Sequence, residues 1–163
     1  MTRPCACQNS GLAALLAACG GFLLAVLWMD LIFDIQVLRH ARASGSLPEP
    51  VLASIAGYYR RATTDSRPMG RLIAAVMAIA VVGSLSRLVR GDGAFALRAA
   101  ALALCFLPAA LAMVRVVPNA VRLGQRADDV TTQSKLARAI CRDHLLCLAL
   151  IGAFTLLQLT APG

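Results

Sequence analysis

The chain alternates long apolar stretches with short basic connections. Four stretches approach the roughly 20 apolar residues that an α-helix needs to cross about 30 Å of hydrocarbon. They run approximately from Gly11 to Phe33, Gly70 to Leu88, Ala94 to Val114 and His144 to Leu159. The first carries no charge between Leu12 and Met29, the third carries only Arg98 near its start, and the fourth is uncharged from Leu145 onward. Backbone amides in lipid must be satisfied within the segment, and no ten-residue alternating strands suggest a barrel. The pattern therefore predicts an all-α polytopic membrane protein, a four-helix antiparallel bundle forming a single domain.

Helical periodicity continues past the first span through Asp30 to Leu38, until Ser44-Gly45-Ser46 breaks it. A short second helix is expected after Ser46 and Pro48, with Leu52, Ile55 and Tyr59 forming an apolar stripe. Lying in the inner interface, it would be anchored by Tyr58, Tyr59, Arg60 and Arg61, since aromatic rings and arginines favour headgroup depth. Thr63 to Ser66 with Pro68 reads as the turn and cap opening the second span. Arg90-Gly91-Asp92-Gly93 predicts a tight hairpin between spans two and three. Pro118-Asn119 is expected to end the third span's extension, and Asp128-Asp129 to start a polar helix that runs into span four.

Composition agrees with this reading: 59% of the 163 residues are hydrophobic and 15% charged, which excludes a soluble enzyme or a disordered chain. The net charge of +8 is unevenly placed. Arg39, Arg42, Arg60, Arg61, Arg67 and Arg71 lie between spans one and two, and Arg115, Arg122, Arg126, Lys135, Arg138 and Arg142 between spans three and four. Only Arg3, Arg87, Arg90 and Arg98 fall on the other side. The positive-inside rule then puts both long loops in the cytoplasm and both termini outside, in a multi-pass inner (plasma) membrane protein of a bacterium. The basic rim faces anionic headgroups, and no folded basic module points to nucleic acid. Leu16-Ala17-Ala18-Cys19 resembles a lipoprotein cleavage box, but the apolar run continues through Met29, favouring a retained span.

Small residues allow close approach of helices in lipid. Ala13, Ala17, Gly21 and Ala25 form such a ladder on span one, and Ala74 with Ala78 and Ala75 with Gly83 offer similar pairs on span two. Pro108 predicts a kink in span three by removing a donor beneath the carbonyl of Leu104. The six cysteines show neither a disulfide framework nor a zinc spacing, and no nucleotide, serine-hydrolase or zinc-protease motif is present.

The most informative polar feature lies at the inner end of span one. Asp30 and Asp34 share a helix face one turn apart, where two carboxylates repel and call for cations at the same depth. Arg71, Arg115, Arg142 and His144 can supply them, with Asn119 nearby, forming either a ring of ion pairs or the polar end of a ligand site. Spread over different spans without metal-ligand spacing, these residues suggest no metal, and they leave the cofactor unknown.

Two patches resemble the small four-span bacterial membrane proteins of the anthrone-oxygenase-like family. Val116-Val117-Pro118-Asn119-Ala120-Val121-Arg122-Leu123 resembles that family's Val-Pro-x-Asn-x-x-Leu pattern after the third span, and Arg138 to His144 occupies the place of the polar stretch before the fourth. The asparagine here follows the proline directly, and Ala139-Ile140-Cys141 stands where the family often has Trp and Asn, so oxygenase activity is not carried over. The expected function is a non-catalytic module that binds a membrane-protein partner or a second copy of itself among membrane lipids. The alternative is an embedded enzyme or binder for a lipophilic aromatic or quinone-like molecule. A transporter subunit is the weakest reading, because no charge lies at the midplane.

Overall fold

The computed structural model describes residues 6–40, 45–91 and 93–160. Helix α1 (Ala6–Leu38) descends through the first span, and α2 (Glu49–Arg60) follows the loop. Helices α3 (Arg67–Arg90) and α4 (Phe95–Leu111) form a hairpin, α5 (Val117–Gln125) extends α4, and α6 (Val130–Thr160) returns. Four helical stretches are long and apolar enough to cross a membrane: Gly11–Leu38, Pro68–Arg90, Phe95–Gln125 and Val130–Thr160. The protein is an all-α, multi-pass membrane protein.

The spans form a ring in which α1 touches α3, α3 touches α4, α4 touches α6 and α6 touches α1. Among the described residues no backbones come close across either diagonal, and a side-chain hydrogen bond from Arg87 of α3 to Gln158 of α6 at 2.7 Å spans one of them. Sequential spans are neighbours, so every adjacent pair is antiparallel. Gly91 and Gly93, both with φ above 80°, make the hairpin bend between α3 and α4, a conformation costly for side chains with a Cβ. Arg98 folds back over this bend and donates to the carbonyls of Arg87 and Leu88 at 3.2 and 3.1 Å, closing the end of α3.

At 33 residues and 1.5 Å per residue, α1 is about 50 Å long, and α6 with 31 residues is almost as long. Both exceed the hydrocarbon thickness, and the excess builds a second packing layer. The outer core contains Leu16, Cys19, Ala80, Ala101, Cys105 and Phe154. The inner core joins Val37, Leu52, Ile55, Tyr59, Ala120, Leu123 and Ile140 around α2. Arg122, Gln125, Lys135 and Arg142 are exposed around this inner layer, as expected for one facing headgroups and water. Leu47 seats the loop before α2 by donating its amide to Ser134 Oγ at 2.8 Å, and an ion pair joins Arg126 to Glu49.

Several local expectations change. The chain does not leave the helix at Pro118-Asn119. A π-helical turn, Ala112–Val116, carries α4 into α5, where Pro118 occupies the first turn and needs no helical donor. Thr63 to Asp65 are not a separate turn either, because the π-helical turn Arg61–Asp65 prolongs α2 and Ser66 precedes α3 without a side-chain cap. At the start of α6, Asp129 accepts from the Thr132 amide at 2.6 Å. Hydrogen bonding to Thr132 holds its carboxyl below the ordinary range.

The packing face of α1 coincides with the small-residue ladder only at its start, where Ala13 is buried and Ala17 half-buried. Gly21 and Ala25 are exposed, whereas Leu16, Cys19, Gly20, Leu23, Leu31, Asp34 and Val37 face inward. Gly20 abuts Thr155 and Phe154 of α6, and Gly83 abuts Leu16. Cys19, within the lipoprotein-like box, is buried in the middle of α1. Cys5 lies outside the described residues.

Gly124 decides how closely α5 approaches α2. A Cβ there would stand 3.0 Å from the Arg60 backbone nitrogen and 3.1 Å from its Cα, atoms that cannot rotate away. Gly124→Ala is expected to cost about 1–3 kcal/mol through forced separation of the two helices. Thermal unfolding in nanodiscs checks it, and a melting temperature equal to wild type would show that α5 is free to shift.

Candidate functional site

Between the two cores lies a polar cluster. Asp34 is completely buried and accepts from Tyr59 Oη at 2.7 Å and from His144 Nδ1 at 2.7 Å. With Asp34 ionised, and so able only to accept, this contact puts the imidazole proton on Nδ1, and Nε2 faces Asp30, 3.8 Å from its Oδ2. Tyr58 donates to Asp30 Oδ1 at 2.6 Å while its ring stacks on Phe33 with centroids 4.1 Å apart. Burial, reinforced by the adjacent carboxylates, pushes both tyrosine hydroxyls above their usual range, so they remain donors.

The aspartates of α1, the tyrosines of α2 and the histidine of α6 meet because α1 and α6 form the most extensive helix pair, with α2 lying beside both. The hydroxyls of Tyr58 and Tyr59 therefore turn to the two aspartates. They are the hydrogen-bond donors that satisfy two carboxylates beside the hydrocarbon, while Arg60 and Arg61 remain exposed. Asp30, Asp34 and His144 come together as the sequence suggests, whereas the arginines do not join them. Arg115 pairs instead with Asp143 at 3.1 Å, and Arg142 lies 3.5 Å from the same carboxylate. Arg71 is exposed, and Asn119 takes no part in the cluster's hydrogen bonds.

Asp143 is the residue that sequence reasoning missed. It is 3% exposed and provides the carboxylate that the arginines need. Its position beside His144 in Arg142-Asp143-His144 was an available signal, because an acid between two basic residues at a span boundary tends to serve one of them.

The cluster forms one end of a cleft of about 960 Å³ within the ring of spans. Asp30, Tyr59 and His144 line that end, with Arg71, Thr63 and Ser66 nearby. Most of the remaining wall is apolar. Cys105 Sγ lies 3.6 Å from Ser84 Oγ and 3.7 Å from the Ala80 carbonyl, so α3 and α4 are joined at that level. The cleft opens inward of this contact, where Pro108 and the π-helical turn reshape α4.

A family model described as SHR3_chaperone, ER membrane protein SH3, matches residues 10–161, covering all four spans. The chain belongs to this family. Membership in the SHR3 chaperone family replaces the resemblance to anthrone-oxygenase-like bacterial proteins, which rested on two short patches. The Val116–Leu123 patch supplies the end of a π-helical turn and most of α5, whose buried positions pack against α2. The bacterial inner-membrane assignment falls with that resemblance, since the SHR3 family is described by the ER membrane. A chaperone family accords with a non-catalytic assembly role in the membrane and with membrane-protein partners. No curated protein and no solved structure matches the chain.

Proposed function

We propose that this protein is a membrane chaperone of the ER, holding spans of multispanning proteins before they find their own partners. The family match across residues 10–161 carries the reading. The apolar cleft beside a buried polar cluster supports it, because an assembling span needs a surface that accepts hydrocarbon-facing side chains and occasional polar ones. In the proposed topology both long loops face the cytoplasm and both termini the lumen, following the distribution of arginines.

Depleting the protein from its host cell is expected to raise the detergent-insoluble share of a subset of multispanning proteins severalfold, as read by quantitative proteomics of the membrane fraction. Re-expression should restore their solubility. An unchanged insoluble fraction, together with a defined non-lipid small molecule retained by the purified protein, would replace this reading with that of a binder for a lipophilic aromatic or quinone-like compound.

A further inference from the structure

The cleft has two properties that a merely imperfect junction of helices would not share. Its α3 wall presents Gly70, Ala74 and Ala78 at four-residue spacing, all exposed, while the opposite wall presents Ala109 of α4 and Ala112 of the π-helical turn. Opposed surfaces of small residues permit close backbone approach, which is how helices associate in lipid. Met77 and Met113 flank them with unbranched side chains that can adjust to different contours. Acyl chains need neither arrangement. The size also suits a helix: a cylinder about 10 Å wide occupies roughly 420 Å³ per 5.4 Å turn, so the 960 Å³ cleft holds about two turns.

The polar end adds charge complementarity. Asp30 Oδ1 is engaged by Tyr58, but Oδ2 has only His144 Nε2 at 3.8 Å, beyond hydrogen-bond reach, and the residue lines the cleft. Two carboxylates, Asp30 and Asp34, face a single imidazole. With all three groups ionised, the two carboxylates exceed the imidazolium by one formal negative charge. Arg71 stands exposed near the polar end, at the start of α3, where its long side chain can reach headgroups rather than Asp30.

From these observations we infer that the inner half of the α3–α4 cleft receives one transmembrane helix of a client protein, recognised by a small-residue face and by a basic side chain that reaches Asp30. The inference rests on the chaperone reading and specifies where and by what chemistry the client is held. The occupant's lysine or arginine would lie in the cytoplasmic third of its span, donating to Asp30 Oδ2, while small residues on its flank contact Ala74, Ala78 and Ala109.

The test uses the full chain in phosphatidylcholine nanodiscs and two fluorescent 23-residue Ala/Leu transmembrane peptides, identical except for one Lys or Leu in the cytoplasmic third. Energy transfer should report about tenfold tighter binding of the Lys peptide, the scale of one charge-assisted hydrogen bond. Asp30→Asn should abolish this difference while leaving the Leu peptide bound. Ala74→Phe with Ala78→Phe fills the cleft from exposed positions, so unchanged helicity should accompany loss of both peptides.

Equal affinity for the two peptides in the wild-type protein would overturn recognition by Asp30. Binding that survives the double Phe substitution would place the helix elsewhere, and a phospholipid retained in the cleft that neither peptide displaces would identify a lipid site instead. Measuring client solubility in cells separates this inference from the reading beneath it. If the double Phe variant still protects clients, the cleft assignment fails and the chaperone reading stands. If wild type protects none, the reading fails whatever the peptides do.

Discussion

Replacing Asp34 by alanine should lower the stability of the bundle by about 3–5 kcal/mol, the cost of removing one partner from a buried ion pair. The carboxylate accepts from both Tyr59 and His144 at 2.7 Å, so its loss leaves two buried donors without their acceptor. Tyr59 Oη and His144 Nδ1, 3.3 Å apart, are then left with only each other. Asp30 is already engaged by Tyr58, and Asp143 by Arg115. Cys141, buried beside the cluster, provides a local reporter of the loss. Its alkylation rate in nanodiscs should rise in parallel with the fall in melting temperature. Asp34→Leu combined with His144→Leu should recover part of the stability, because an apolar pair carries no unpaired charge. A double variant as unstable as the summed single substitutions would mean that the triad does not act as an electrostatic unit.

The second large effect separates the two cores. Leu52 and Leu16 are both completely buried, Leu52 in the inner core around α2 and Leu16 between the outer halves of the spans. Leu52→Ala should cost about 2–5 kcal/mol, since the inner core gains both from removal of apolar surface from water and from close packing. Leu16→Ala forfeits packing but little hydrophobic transfer energy, because its alternative surroundings are lipid tails rather than water. The Leu52 variant should therefore lose the greater stability, and its exchange protection should fall selectively in α2 and α5. Equal losses at the two sites, measured by unfolding in the same nanodisc, would show that the inner layer is immersed in lipid rather than facing water.

Two elements illustrate how far local pattern reaches. The helix containing Leu52, Ile55 and Tyr59 is foreshadowed by its apolar spacing and by Pro48, and α2 appears at Glu49–Arg60 with those three residues buried. The direction of its tyrosines is not foreshadowed. Tyr-Tyr-Arg-Arg at a membrane boundary suits a headgroup anchor equally well, until α1 brings two carboxylates within reach. The alanine ladder of α1 raises the same difficulty: in a span that is apolar all round, small residues on one face and large ones on another do not reveal which face packs.

Local pattern was enough for the four spans, their order and helical class, and for His144 among the candidate partners of Asp30 and Asp34. These follow from local physics, because a helix in lipid closes its own hydrogen bonds and a buried carboxylate requires a donor at its depth. Only the tertiary structure decided that Leu16 and Gly20 rather than Gly21 and Ala25 face the bundle, that Arg115 serves Asp143, and that the ring of spans parts into a cleft. Those outcomes depend on side chains far apart along the chain: Gly20, near its start, meets Thr155, near its end. They were selected by steric fit, since lipid offers every apolar face nearly the same surroundings and leaves close packing to choose among them.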